Sequence, residues 1–247
     1  MSVSIKLGNF LYKKAFWLYK PTYAIFKKKQ DAFEIELLNK YLQKNDVVLD
    51  IGANIGFYAK ILSDIVGPNG KVHCFEPDKT NFYHLQNYCK GRNNIVLNNK
   101  AVGPKNEILK IYTSKNLNVD HRTYKPDEYA DEIEIEALKI DDYLEINKKI
   151  DFIKIDIQGF EMQAIMGMER TLTENKNIKL ISEFWPYGLK KAGSSVIEYF
   201  NFLTGKGFNC YLLEKNSLQK LTLEKVESIK SLGEQHYFNI FVSRTNV

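Results

Sequence analysis

The chain has 247 residues, 44% of them apolar and 26% charged, with a formal net charge of +5. That balance suits a globular chain long enough to close a full α/β core and excludes a disordered or collagen-like polymer. The longest apolar runs carry charges every few residues and fall short of the ~20 residues that span a bilayer. No segment joins a basic start, an apolar stretch and a small-residue cleavage site, so a cytoplasmic location is expected. Cys74, Cys89 and Cys210 show no C-x-x-C spacing and suit reduced thiols better than a disulfide framework or a zinc site.

Residues 1–30 hold seven lysines and no acid, interleaved with Phe10, Tyr12, Phe16, Trp17, Tyr19, Tyr23 and Phe26. Residues 5–29 admit three readings: a membrane-surface helix, a strip for single-stranded nucleic acid, or a cap over a cleft or homodimer contact with lysines in solvent. Pro21 is expected to split the segment, because it lacks an N–H and its ring clashes with the preceding turn. A helix is predicted over 31–43. From there the periodicity predicts a strand at 47–51, a helix at 56–66, a strand at 71–76, a helix at 79–90 and a strand at 94–99. Residues 107–113 and 131–140 alternate with period two and read as an inserted antiparallel pair, joined by a long polar loop. The alternation resumes with strands at 150–156, 179–184, 208–213 and 237–243 and helices at 160–172 and 195–204. The expectation is a doubly wound, Rossmann-like α/β domain over 46–247 with a seven-stranded, mostly parallel sheet, preceded by a helical extension over 1–45.

The chemistry is concentrated in DVVLDIGANIG at 46–56 and CFEPD at 74–78. Gly52 and Gly56 allow a sharp turn out of the strand, and the following helix offers its N-terminus to a ligand. A dinucleotide fold wants G-x-G-x-x-G, but Asn54 and Phe57 occupy the second and third glycine positions. Asp50 at the strand end suits a cationic amine better than a phosphate. Glu76, ending the second strand, sits where an acid accepts both hydroxyls of a ribose. A ribose, a cationic amino-acid tail and no phosphate describe S-adenosylmethionine.

Asp50-Ile-Gly-Ala-Asn-Ile-Gly56, Phe75-Glu-Pro77, Lys100-Ala-Val-Gly103, Leu138-Lys-Ile-Asp-Asp142 and Phe152-Ile-Lys-Ile-Asp-Ile-Gln-Gly159 with Glu161 together resemble the FkbM family of class I S-adenosylmethionine-dependent methyltransferases. The resemblance spans roughly residues 40–185. It implies O-methylation, in many members of a sugar hydroxyl on a glycan, glycolipid or natural product. It implies a cofactor-binding set of Asp50, Gly52, Ala53, Asn54, Gly56, Phe57, Glu76, Pro77, Ala101 and Asp156. One departure is Gln158, where the family often has Glu.

Methyl transfer to a hydroxyl needs alignment and proton removal. Ligands of an open α/β sheet lie at the carboxyl ends of its strands, where Asp156 and Glu183 are found. Either can hold the hydroxyl or act as base, and together they can ligate Mg²⁺. His121, in the loop between the inserted strands, is a further candidate base, with Asp120 beside it to orient the ring and Arg122 to bind an anionic or hydroxylated acceptor. Two other readings stay open: RNA methylation, favoured by the positive charge, and a non-catalytic cofactor or nucleic-acid binding module. Against amino-group methylation of RNA, DIQGFE at 156–161 lacks an Asn/Asp-Pro-Pro-Tyr/Phe motif.

Overall fold

A computed structural model describes residues 3–114, 121–126 and 129–247. Three helices, α1 (Val3–Lys14), α2 (Phe16–Gln30) and α3 (Ala32–Tyr41), lead into β1 (Val47–Ile51), α4 (Phe57–Val66), β2 (Lys71–Phe75), α5 (Lys79–Tyr88) and β3 (Ile95–Asn98). Next come β4 (Ala101–Val102), β5 (Glu107–Tyr112), β6 (Glu132–Leu138) and α6 (Ile140–Tyr143). The chain continues through β7 (Phe152–Ile155), α7 (Glu161–Met166), α8 (Glu169–Glu174), β8 (Lys179–Phe184), α9 (Pro186–Lys191) and α10 (Val196–Gly205). It closes with β9 (Asn209–Glu214), β10 (Ser217–Lys220), α11 (Leu223–Ile229) and β11 (Phe238–Ser243).

The main sheet has the order β10-β9-β11-β8-β7-β1-β2-β3. β3, β2, β1, β7 and β8 run parallel, and β11 inserts antiparallel between β8 and β9. Seven of these strands match the expectation. The eighth, β10, folds back on β9 as an edge hairpin with Ser217 opposite Glu214; its SLQK is mostly exposed and polar and carries no readable apolar period. Strand alternation sends neighbouring residues to opposite faces. Leu49, Ile51, Ile153, Ile155, Leu180 and Ile240 build one core, while Val48, Val72, Phe152, Ile181 and Phe241 build the other.

The inserted pair forms as expected, with Glu107 to Tyr112 antiparallel to Glu132 to Ala137. β4 joins it parallel to β6, making a separate three-stranded sheet. The predicted helix over 160–172 is instead two helices broken near Gly167. A Cβ there would lie 2.0 Å from the Gly103 carbonyl oxygen, so this turn is shaped by close approach to the chain entering the small sheet. Helices α6, α9 and α11, of 4, 6 and 7 residues, are too short to show a helical period.

The N-terminal segment is indeed two helices, but the break falls at Ala15 (φ −147°), and Pro21 lies inside α2. The Thr22 hydroxyl next to the proline donates to the carbonyls of Leu18 and Tyr19. The inner aromatic face packs on α5: Tyr12 donates to Asn81 Oδ1 at 2.6 Å, and Phe16 stacks on His84 with centroids 3.5 Å apart. Tyr23 meets Phe57 edge-on at 6.2 Å. α3 contributes Leu37, Leu38 and Leu42 to the core, so it is part of the domain's packing.

Candidate active site

The turn after β1 is set by three residues with positive φ: Gly52 (+85°), Asn54 (+49°) and Gly56 (+97°). A Cβ on Gly52 would lie 2.0 Å from the Asp156 carbonyl oxygen, so glycine is demanded by both dihedral and space. Asn54 satisfies the same left-handed requirement as a polar residue that tolerates it. Its side chain accepts from the Ile55 N–H at 2.7 Å, and its own N–H donates to Glu76 Oε2 at 2.9 Å. Gly52 and Ala53 both donate to the Phe75 carbonyl at 3.0 Å, pinning the turn between β1 and β2 where α4 begins.

A first, narrow cleft opens beside this turn, walled by Glu76, Pro77, Lys100, Ala101, His121 and Phe160. Glu76 is buried at its edge and accepts from the N–H groups of Asn54 and Asp78. Burial pushes its carboxyl up to about 8 against those hydrogen bonds. Asp50, behind the turn, is 0% exposed, and neither carboxylate oxygen has a hydrogen-bond partner among the described residues. Burial pushes it up to about 6, opposed by the Lys154 ammonium. An orphaned buried carboxylate carries a desolvation penalty that a donor relieves. An amine and a ribose are the donors these two acids suit, so the residues fit S-adenosylmethionine.

A second, larger cleft of about 550 Å³ lies under α2 and shares Gly52, Asn54, Asp156 and Gln158 with the first. Its walls carry Tyr23, Phe26, Trp185 and Tyr237 beside Glu183, Arg122 and Lys154. The helical extension therefore caps this cleft through its inner face. Lys154 is buried in β7, 3.5 Å from Asp156 and 4.2 Å above the Tyr58 ring. Burial alone would strip its proton, but Asp156, Glu34 and Asp50 outweigh burial and hold the ammonium charged. Asp156 has a side chain 40% exposed. Burial works to raise it, but the Lys154 and Lys27 ammonium groups and the Gln158 amide, 3.2 Å away, hold it below the usual carboxylate range. Gln158 (φ +56°) and Gly159 (φ +98°) form the turn after β7. Buried Glu161 braces that turn by accepting from the N–H groups of Ile157 and Gly159.

The candidate residues thus divide. Asp156, Glu183 and Arg122 line the second cleft, where Arg122 pairs with Glu234 at 2.8 Å and lies over Trp185. His121 lines the first cleft, with Nε2 3.8 Å from Asp78. Asp120, expected to orient that ring, lies outside the described residues. Ala53 and Phe57 border the second cleft; Pro77 and Ala101 border the first. Gly56 borders neither and caps α4, where a Cβ would press on Leu85 at 2.9 Å. Lys154, Glu34, Tyr58 and Asp78 were not anticipated. A lysine inside the otherwise apolar FIKI was the available signal, since a buried charge must find partners. Among the described residues no group of three or more His, Cys, Asp or Glu could hold a metal ion. The expected Mg²⁺ donors, Asp156 and Glu183, belong to no such group, and Asp156 is already paired with Lys154.

The parallel sheet with β11 reversed, and Glu76 and the glycine turn at its carboxyl edge, match the fold of class I S-adenosylmethionine-dependent methyltransferases. Residues 50–210 match the family model described as the methyltransferase FkbM domain, and the chain belongs to that family. The chain thus has the family and the fold of S-adenosylmethionine-dependent methyltransferases. Among solved structures, it is similar to an S-adenosylmethionine-dependent O-methyltransferase from Thermotoga maritima, with 13% identity and TM-score 0.51 over 89% of this chain and 66% of that one. A candidate rRNA methylase from Clostridium thermocellum shares 10% identity with TM-score 0.52 over 86% and 94%. The methyltransferase FkbM from Methylobacillus flagellatus shares 17% identity with TM-score 0.49 over 81% of this chain and 44% of that one. The chain therefore spans less than half of the last relative and about two thirds of the first. No curated protein matches.

Proposed function

We propose that the protein transfers a methyl group to a hydroxyl, and that the acceptor is a carbohydrate bound in the second cleft. The observation that carries this reading is the composition of that cleft: aromatic faces of Tyr23, Phe26, Trp185 and Tyr237 stand beside Asp156, Glu183, Arg122 and the amides Gln30, Gln235 and Asn239. Ring faces cover the C–H side of a sugar, and carboxylates, amides and a guanidinium match its hydroxyls. Asp50, buried behind the turn, draws the amine by its charge, and in the first cleft Glu76 receives the ribose hydroxyls; Pro77, Ala101 and Phe160 flank the nucleoside. The cofactor supplies a sulfonium-activated methyl whose release needs no acid. What remains for the protein is alignment of the acceptor oxygen and removal of its proton. Asp156, on the wall common to both clefts, accepts the hydroxyl's hydrogen bond and then its proton. A carboxylate held below its usual range is adequate here, because an oxygen that is bonding to a methyl carbon makes its O–H strongly acidic. Glu183 and Arg122 hold neighbouring hydroxyls. His121 borders the cofactor and positions it.

The test begins with calorimetric titration by S-adenosylhomocysteine, with NAD as control. Micromolar binding of the first alone is expected, and Asp50→Ala should weaken it about 100-fold, worth ~3 kcal/mol, with the fold retained. Unchanged affinity in that variant overturns the cofactor assignment. A panel of sugars, glycolipids and RNA then addresses the acceptor. Asp156→Asn and Glu183→Gln should lose turnover while keeping cofactor affinity, and methylation of RNA alone would overturn the carbohydrate reading.

A further inference from the structure

The face of α2 turned away from the domain is apolar and open. Phe16, Tyr19, Tyr23 and Lys27 point inward toward α5 and the second cleft. Trp17, Pro21 and Ile25 follow one another at four-residue spacing on the opposite side. Trp17 is 75% exposed and Ile25 is 73% exposed, with Leu18 alongside also exposed. Lys28 and Lys29 close the stripe in the last turn, and Lys14 is exposed at the end of α1. Residues 1–30 contain no acid. Lys20 and Lys27 are engaged inward, over the Tyr88 ring and against Asp31, while Lys14, Lys28 and Lys29 are exposed.

We propose that this outer stripe docks α2 on an anionic membrane surface, with Trp17, Pro21 and Ile25 at the level of the headgroups and Lys14, Lys28 and Lys29 against the lipid charge. Trp on a basic helix with an apolar face is the chemistry of in-plane interfacial binding. Two other occupants fit worse. A second copy of this face would bring like charges together with no carboxylate to offset them. Single-stranded nucleic acid is held by successive stacked aromatic rings, but here the tyrosines and Phe16 turn inward, and on the outer stripe Trp17 is followed by Pro21 and Ile25, with the exposed Phe10 and Phe26 lying off it. No described helix is long and apolar enough to cross a membrane, so the contact is with the surface. Because Phe26 and Lys27 of the same helix wall the second cleft, docking sets the rim of that cleft beside the lipid. The inference stands without the acceptor assignment, and its test needs neither cofactor nor acceptor.

The full chain is mixed with vesicles of phosphatidylglycerol and phosphatidylcholine in equal parts, or of phosphatidylcholine alone, and pelleted. Binding to the anionic vesicles only is expected, lost in about 1 M salt, where the screening length is about 3 Å. Trp185 is already buried, so a blue shift of tryptophan emission on docking reports Trp17. Trp17→Phe should keep docking and lose the shift. Trp17→Glu with Ile25→Glu, both at exposed positions, should weaken docking by about tenfold or more with an unchanged circular dichroism spectrum. No binding to anionic vesicles, or binding that the double variant leaves intact, overturns the proposal. A concentration-dependent dimer in sedimentation, or an RNA mobility shift, that the double variant abolishes while vesicle binding is absent overturns it in favour of those occupants.

Discussion

The two clefts open at the same end of one sheet and share Asp156 and Gln158, and the acids around them are held in opposite ways. Glu76, in the first, and Asp50, behind the turn, are removed from water with too little compensation, and both are pushed toward the protonated form. Asp156, on the wall common to both, is held below the usual carboxylate range by Lys154 and Lys27 against its partial burial. The difference teaches that the sheet supplies position only. A cation placed one residue along β7 from the apolar Ile155 decides whether an acid at the strand end waits for a donor or stands ready as an acceptor.

The strongest way to break this arrangement is to separate the clefts' common wall. Gly52→Ala puts a methyl 2.0 Å from the Asp156 carbonyl oxygen in a left-handed turn. A loss of about 3 kcal/mol or more is expected in denaturant unfolding, together with loss of S-adenosylhomocysteine binding.

Lys154→Met asks whether the second cleft then behaves like the first. Removing one partner of a buried charge cluster should cost about 3 kcal/mol near neutral pH. Lys154 sits above its unfolded value, so its contribution is complete below that value and is lost only as pH rises through the folded one. Asp156 is depressed, so its contribution is present above the ordinary carboxylate value and is lost as pH falls through its folded one. The penalty should therefore shrink in acid. A cost that stays flat with pH would show that Lys154 acts by packing alone.

Glu76 sharpens the comparison from the other side. Its folded carboxyl is raised to about 8 from 4.5. The stability it gives by holding a proton is complete below the unfolded value and is lost as pH rises through the folded one. The ligand-free protein should lose melting temperature across that window, and Glu76→Gln should flatten the slope. Ribose hydroxyls favour the ionised form, so S-adenosylhomocysteine should release a proton near pH 7, read by calorimetry in buffers of different ionisation enthalpy.

The smallest effect is expected at Arg122. Its pair with Glu234, whose side chain is 44% exposed, should contribute under about 1 kcal/mol. Arg122→Ala should thus leave the melting temperature nearly unchanged and appear in acceptor KM. A large drop in stability would mean that the stacking on Trp185 holds the cleft wall together.

Much of the fold is legible in the chain because two periods suffice for it. The buried strands β1, β2, β7 and β8 and the alternation of β5 and β6 follow from where apolar residues fall. The edge strand β10, the short helices and the break at Gly167 do not, since each depends on a neighbour distant in sequence. The site divides in the same way. Asp50, Gly52 and Glu76 are readable because the turn and the strand ends are local. Lys154 is visible as a lysine in an apolar strand, but its partners Glu34 and Asp50 come from other elements. His121 reads as a candidate base in the loop between the inserted strands, but that it lies in the first cleft against Asp78 is decided by the fold.

By itself the sequence determined the class of fold, the glycine turn and the acids at the strand ends, because backbone dihedrals and side-chain periods are properties of short segments. Tertiary structure alone decided that Asp156 is ionised while Asp50 and Glu76 are pushed toward their protons, and that α2 roofs the second cleft with its inner face and leaves Trp17 and Ile25 outside. Charge and exposure depend on which groups, remote along the chain, come within a few ångströms, and only packing fixes that.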